Sequence, residues 1–199
     1  MCAVRIDPLK LPGPWADGYV LERRHTLSSE FLGHDSFGNP QFDTKYSELG
    51  ELVFRLKNRN DRNTLDLIAE TAVNFIREWN VVFDLIVPVP PSRKRASYQP
   101  VVEIATAIGA RMPMPVNVAA VTKIKDTPEL RNVFDYNERI RLLQNAFGVD
   151  RDAVADKHIL LVDDLYRSGA TANVVTGSLL AGGATAVYML AMTKTRTRT

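Results

Sequence analysis

The run His158–Ala184, HILLVDDLYRSGATANVVTGSLLAGGA, constrains this chain more than any other stretch. It opens with Ile159-Leu160-Leu161-Val162, an apolar run short enough for a strand buried on both faces of a parallel sheet. Two adjacent carboxylates follow, Asp163 and Asp164, and then a small polar turn, Arg167-Ser168-Gly169-Ala170-Thr171. A helix is predicted from about Ala170 to Ala181, stopped by Gly182-Gly183. Another apolar strand is predicted at Thr185–Met192. A strand, an acidic pair, a small-residue loop, a helix and a strand in that order describe a βαβ unit.

Each part of the run suits one chemical task. Backbone N–H groups at a helix start lack intrahelical partners and lie at the positive end of the dipole, so they bind anions such as phosphate. Gly169 lets the backbone approach closely, and Ser168 and Thr171 add hydroxyl donors. Asp163 and Asp164 can accept hydrogen bonds from vicinal ribose hydroxyls, so a sugar 5-phosphate fits between acids and loop. The bland alternative is a plain strand–turn–helix with a solvated acidic turn. Over Leu160 to Thr171 the string resembles the phosphoribosyl pyrophosphate (PRPP) signature of type I phosphoribosyltransferases.

The rest of the chain fits an α/β protein. With 199 residues it can bury one substantial core, and with 45% hydrophobic and 24% charged residues it has ordinary globular composition. A net charge of +2 is too small to argue for nucleic acid by itself. The one cysteine, Cys2, excludes an internal disulfide framework. No segment reads as a membrane span or secretory signal, and a cytoplasmic protein is expected.

Residues 1–44, with four prolines and short strands expected at Tyr19-Val20-Leu21 and His25-Thr26-Leu27, read as a small β-ribbon hood or appendage. Residues 45–199 read as the core. Thr44 is the expected N-cap of a helix carrying Leu49, Leu52, Val53 and Leu56. A second helix carries Leu65 to Trp79. Strands are expected at Val81–Val89, Val116–Ala120 and His158–Val162, and helices at Tyr98–Ala110 and Tyr136–Leu143. Strands alternating with helices imply right-handed crossovers, with ligands beyond the carboxyl ends of the strands. The loops Pro88–Arg95, Val121–Glu138 and Asp163–Thr171 would then meet at one rim.

Two of those loops are basic. Arg93, Lys94 and Arg95 sit just past a strand end, where a pyrophosphate needs cations. Lys123 to Arg131, including Lys125, is a long charged connection of the kind used as a lid or left as a surface loop. Asp84 to Pro90, Arg93 to Arg95 with Gln99, Thr127, Leu130-Arg131, Arg139, Asn145-Ala146-Phe147 and Val162 to Thr171 occur in the order of the ComF family, and the chain resembles that family over roughly residues 45–192. These are phosphoribosyltransferase-like proteins associated with DNA uptake. The four-cysteine zinc ribbon of many members is missing, and no zinc is assigned to His25 or His34. Arg167 stands where relatives carry a small residue or, in purine salvage, an Asp base.

The resemblance implies an α/β fold: a type I phosphoribosyltransferase-like parallel sheet flanked by helices, with the N-terminal β-ribbon as appendage. It implies PRPP or a related phosphorylated ribose as substrate and Mg²⁺ as cofactor. Asp163 and Asp164 would hold the ribose hydroxyls, directly or through metal-bound water. Arg167, Ser168, Gly169, Ala170 and Thr171 would hold the 5-phosphate. Arg93 and Arg95 would face the pyrophosphate, with Lys125 and Arg131 as further substrate contacts. A rival reading is a non-catalytic PRPP- or nucleotide-binding regulator, or an accessory factor that meets single-stranded DNA or a DNA-processing protein. A homodimer is compatible with either, and no membrane association is expected.

Overall fold

Strand His158–Tyr166 (β8) is the axis around which the protein is built. Its side chains alternate between two faces, and each face is covered. Ile159 and Leu161 join one apolar core, and Leu160 and Val162 join the other, all fully buried. The computed structural model describes residues 3–91, 98–128, 133 and 135–195.

The earlier elements are β1 (Leu9–Lys10), β2 (Asp17–Glu22), β3 (Thr26–His34), β4 (Pro40–Tyr46), α1 (Glu48–Arg59), α2 (Leu65–Trp79), β5 (Leu85–Pro88) and α3 (Pro100–Arg111). Then come β6 (Val121–Lys123), α4 (Tyr136–Leu143), β7 (Phe147–Val149) and α5 (Arg151–Val154), ahead of β8. Helix α6 (Ala170–Ala181) and strand β9 (Ala186–Lys194) follow β8. The main sheet has the order β1-β2-β9-β8-β5, with β1 antiparallel and the other pairs parallel. Helices α1, α2 and α3 bury Leu49, Leu56, Ile68, Ile76, Ile104 and Ile108 in the core on one face. The other core takes Leu143 from α4, Val154 from α5, and Val175 and Leu179 from α6.

The expected helix over Ala170–Ala181 is found with those bounds, as is the helix over Tyr136–Leu143. Four sequence expectations are corrected. First, Tyr19-Val20-Leu21 is a strand of the main sheet, paired in parallel with β9, and not part of a ribbon. Val20 and Leu21 are completely buried there, one in each core. The ribbon is the antiparallel pair β3–β4 alone. Second, the N-cap of α1 is Ser47, whose Oγ accepts from Gly50 N at 3.1 Å. Thr44 is inside β4, where its Oγ1 lies 3.1 Å from Ser29 Oγ.

Third, the strand expected at Val81 begins only at Leu85, and Val82 is 81% exposed. Asp84 marks the start: its N–H donates to His158 O, and its Oδ2 accepts from His158 N, both at 2.8 Å. Fourth, Val116–Ala120 is not a strand. Val116 makes one bridge to Ile86, and Asn117 Oδ1 then accepts from Ala119 N at 2.9 Å, a local turn that leads the chain away. Pairing resumes at β6 with β7, a small separate ribbon against α6. Among the described residues no helix is long and apolar enough to cross a membrane.

Candidate functional site

The two neighbours of β8 end at different heights. On one side β5 stops at Pro88, opposite Val162. On the other side β9 continues, pairing Leu165 with Thr193 and Tyr166 with Lys194. The sequence placed the acids after the strand, whereas Asp163 and Asp164 lie within it, because β9 supplies ladder partners past Val162. Among the described residues, no strand pairs with Asp163–Tyr166 on the β5 side, and the cavity borders them there.

Adjacent residues of a strand face opposite ways, so the two carboxylates have different surroundings. Asp164 lies on the α1 side, where its Oδ2 is 2.7 Å from Lys57 Nζ. Its side chain is 12% exposed and that of Lys57 is 31% exposed. Asp163 is half-buried on the other side, and its Oδ1 accepts from Asp164 N at 2.9 Å. Burial, and next the charge of Asp164, push its carboxyl up to about 7, against the opposing pull of Lys57.

Tyr166 ends the strand with its ring under the following turn. Gly169 sits at φ 79°, and a Cβ there would strike the Tyr166 ring and hydroxyl. Gly169 also starts α6 without a side-chain cap, whereas α1, α4 and α5 are capped by Ser47, Asp135 and Asp150. The first turn of α6 thus presents its amides to the cavity that Gly169–Ala172 help to line. Ser168 Oγ accepts from Arg139 Nη1 at 2.7 Å, and Arg139 Nε donates to Val133 O at 2.6 Å.

These groups border one cavity of about 630 Å³. Its walls come from Lys57, from Val89–Pro91 with Gln99–Val101, from Lys123, Thr127 and Pro128, from Arg139, Leu143 and Phe147, and from Asp163 through Ala172. The expected residues Asp163, Asp164, Arg167, Ser168, Gly169, Ala170 and Thr171 are all together in this wall. Lys125 is exposed and outside it, and Lys123, Thr127 and Pro128 are the described members of that segment which reach it. Arg93, Arg95 and Arg131 lie outside the described residues.

Lys57 and Arg139 were absent from the expected site set. Nothing local to Lys57 places it opposite Asp164, because the pairing joins residues far apart in sequence. Arg139 carried a weak signal: it shares a helix face with Leu143, four residues on, so a core position holds a cation. His25, to which no zinc is assigned, is a buried structural group with Nδ1 3.0 Å from Thr193 Oγ1.

The acidic pair does not form a chelate. Its carboxylates face opposite sides, Asp164 is engaged by Lys57, and no group of three or more metal-ligating side chains exists among the described residues. Asp163 remains suited to meet a cation through water, the usual habit of Mg²⁺ held on a phosphate.

No protein-family model matches the chain, and no curated protein matches it. Solved structures do match. Glutamine PRPP amidotransferase from B. subtilis aligns with TM-score 0.50 and 16% identity over 79% of this chain and 34% of that chain. Adenine phosphoribosyltransferase from Saccharomyces cerevisiae aligns with TM-score 0.49 and 14% identity over 84% of each chain. UMP synthase from Leishmania donovani aligns with TM-score 0.41 and 16% identity over 81% of this chain, which spans 27% of that enzyme. The architecture is α/β and has the type I phosphoribosyltransferase fold.

Proposed function

We propose that the protein binds PRPP and transfers its phosphoribosyl group to an acceptor nucleophile, releasing pyrophosphate. The observation that carries this reading is a single cavity lined by both acidic residues, Asp163 and Asp164, and by the uncapped start of α6. A ribose 5-phosphate matches both features, hydroxyls on the acids and phosphate on the amides. The order of motifs resembling the ComF family supports the same assignment.

In this reading loop 167–171 anchors the 5-phosphate, and Asp163 and Asp164 accept hydrogen bonds from the ribose hydroxyls. Arg93, Arg95 and Arg131 are assigned to the charged pyrophosphate end, and Lys125, outside the cavity wall, is not. The C1–O bond breaks with its electron pair leaving on pyrophosphate. The acceptor's lone pair then closes on C1, and its proton passes to solvent. The chain's contribution is positioning and charge complementarity at the site. Mg²⁺, when bound, supplies neutralisation of the leaving pyrophosphate, with Asp163 as the residue that would hold it.

The raised pKa of Asp163 fits this role. A carboxyl that titrates near neutrality becomes the better acceptor once a hydroxyl or a cation arrives to favour its ionised form. Arg167 favours a second reading, in which the site binds PRPP or a nucleotide as a regulator or DNA-uptake factor without transfer. Arg167 lines the cavity with a long cation where relatives carry a small residue or an Asp base.

The test is calorimetry with PRPP and Mg²⁺, followed by a screen of bases and amines for pyrophosphate release. The double variant Asp163→Asn, Asp164→Asn is expected to fold and to lose PRPP binding. Unchanged affinity in that variant would sink the assignment. Tight PRPP binding with no pyrophosphate from any acceptor, or nucleic-acid affinity falling steeply with salt, would shift the conclusion to the second reading.

A further inference from the structure

We infer that Arg139 is the charged wall of the anion subsite and makes it selective for a phosphate monoester dianion, in part by fixing the direction of the Ser168 hydroxyl. This rests on the reading of the cavity as a phosphosugar site and adds to it a residue and a charge requirement.

Arg139 is only 7% exposed, yet it lines the cavity. Its known partners are both neutral: Val133 O takes Nε at 2.6 Å, and Ser168 Oγ takes Nη1 at 2.7 Å. No carboxylate lies within ion-pair distance of it among the described residues, and Nη2 has no hydrogen-bond partner among them. Its neighbour on the helix is a useful contrast. Arg141, with its side chain 73% exposed, pairs with Glu138 at 2.6 Å. Among the described residues, the cation in water has an acid and the buried one has none. An isolated buried charge is costly, and neutral acceptors satisfy its hydrogen bonds without balancing its charge. Among the described residues nothing supplies that counter-charge, and an anion entering the cavity would.

Ser168 sharpens the argument. Its Oγ accepts from Arg139 and, at the long distance of 3.5 Å, from Ala170 N. With donors on its oxygen, its own O–H is left to donate to something else. The Ser168 O–H, Arg139 Nη2 and the α6 amides beyond Ala170 then form a patch of donors. Helix amides alone bind oxyanions through partial charges, without a full counter-charge. A full buried positive charge added to them favours the ligand carrying more negative charge. A phosphate monoester, near −1.5 to −2 at neutral pH, meets that demand.

The experiment compares the wild-type protein with Arg139→Gln, Arg139→Lys and Ser168→Ala. Inorganic phosphate, ribose 5-phosphate and unphosphorylated ribose are each titrated calorimetrically, and Tm is measured with and without phosphate. Arg139→Gln is expected to weaken both phosphate ligands by about 10- to 150-fold, the range of charged hydrogen bonds. Arg139→Lys should recover part of that loss, and ribose should be unaffected. Without phosphate, Arg139→Gln should melt at or above the wild-type temperature, since it removes an unbalanced charge. With phosphate, only the variants keeping a cation should gain Tm.

Phosphate bound equally well by Arg139→Gln would overturn the inference. So would no phosphate binding by the wild type, or a Tm deficit of Arg139→Gln that is the same with and without phosphate, the mark of a purely structural role. Arg139-dependent phosphate binding with ribose 5-phosphate no tighter than phosphate would uphold the inference and sink the phosphosugar reading. Tight ribose 5-phosphate binding indifferent to Arg139 would do the reverse.

Discussion

His25 ties the site to the ribbon through one buried imidazole. Its N–H donates to Lys194 O at 2.9 Å, its carbonyl accepts from Ser47 N at 3.2 Å, and its ring packs edge-on against Tyr46. Burial, and next the nearby Lys57 charge, lower its pKa from 6.5 to about 4. The folded protein therefore binds fewer protons here than the unfolded chain between those values. The stability that the neutral ring contributes is whole above pH 6.5 and is lost as pH falls toward 4, on the order of 3 kcal/mol at most. A Tm profile from pH 7 to pH 4 checks this. His25→Gln should flatten the acid limb, and an unchanged profile would remove His25 as its cause.

The turn between β8 and α6 has almost no freedom in composition. Gly169 is at φ 79° with the Tyr166 ring packed against the place where a side chain would begin. Gly169→Ala is expected to destabilise the fold by about 1–3 kcal/mol through backbone strain, measured by denaturant unfolding. The same variant should weaken phosphate binding, since the amides that follow Gly169 would shift. This element was legible in sequence because strand, acids, glycine turn and helix are contiguous there, and each obeys a local rule. The β2 strand was placed wrongly because its partner β9 lies more than a hundred and fifty residues away, and Pro and Gly around it imitate a loop region. Thr44 and Ser47 both satisfy the N-cap preference, and only the pairing of β4 through Tyr46 decides between them. Lys57 and Arg139 escaped for the same reason as β2: their meaning lies in distant partners.

At the scale of the molecule, the main sheet and the β3–β4 ribbon have separate standing. The ribbon exposes Phe31 (56%), Leu32 (66%), Phe37 (88%) and Phe42 (54%), and none of these joins either core. Thr26 and Tyr46 face each other at its base, so the ends of an excision there are already close. Replacing residues 27–45 by a short turn is expected to leave Tm nearly unchanged and to reduce self-association in sedimentation, because a large apolar patch is removed. Deleting residues 1–24 should instead abolish cooperative unfolding, since β2 buries Val20 and Leu21 and covers the β9 edge. A marked fall in Tm on excising the ribbon would show that it braces the sheet.

The unequal ends of β5 and β9 have a mechanical meaning as well. Among the described residues, the last four of β8 are a cantilever, clamped along one flank and overhanging on the other. A guest molecule seated on the overhang would act as the missing support. Amide exchange at residues 163–166 should then slow on loading, while the doubly flanked root at 159–162 stays as it was.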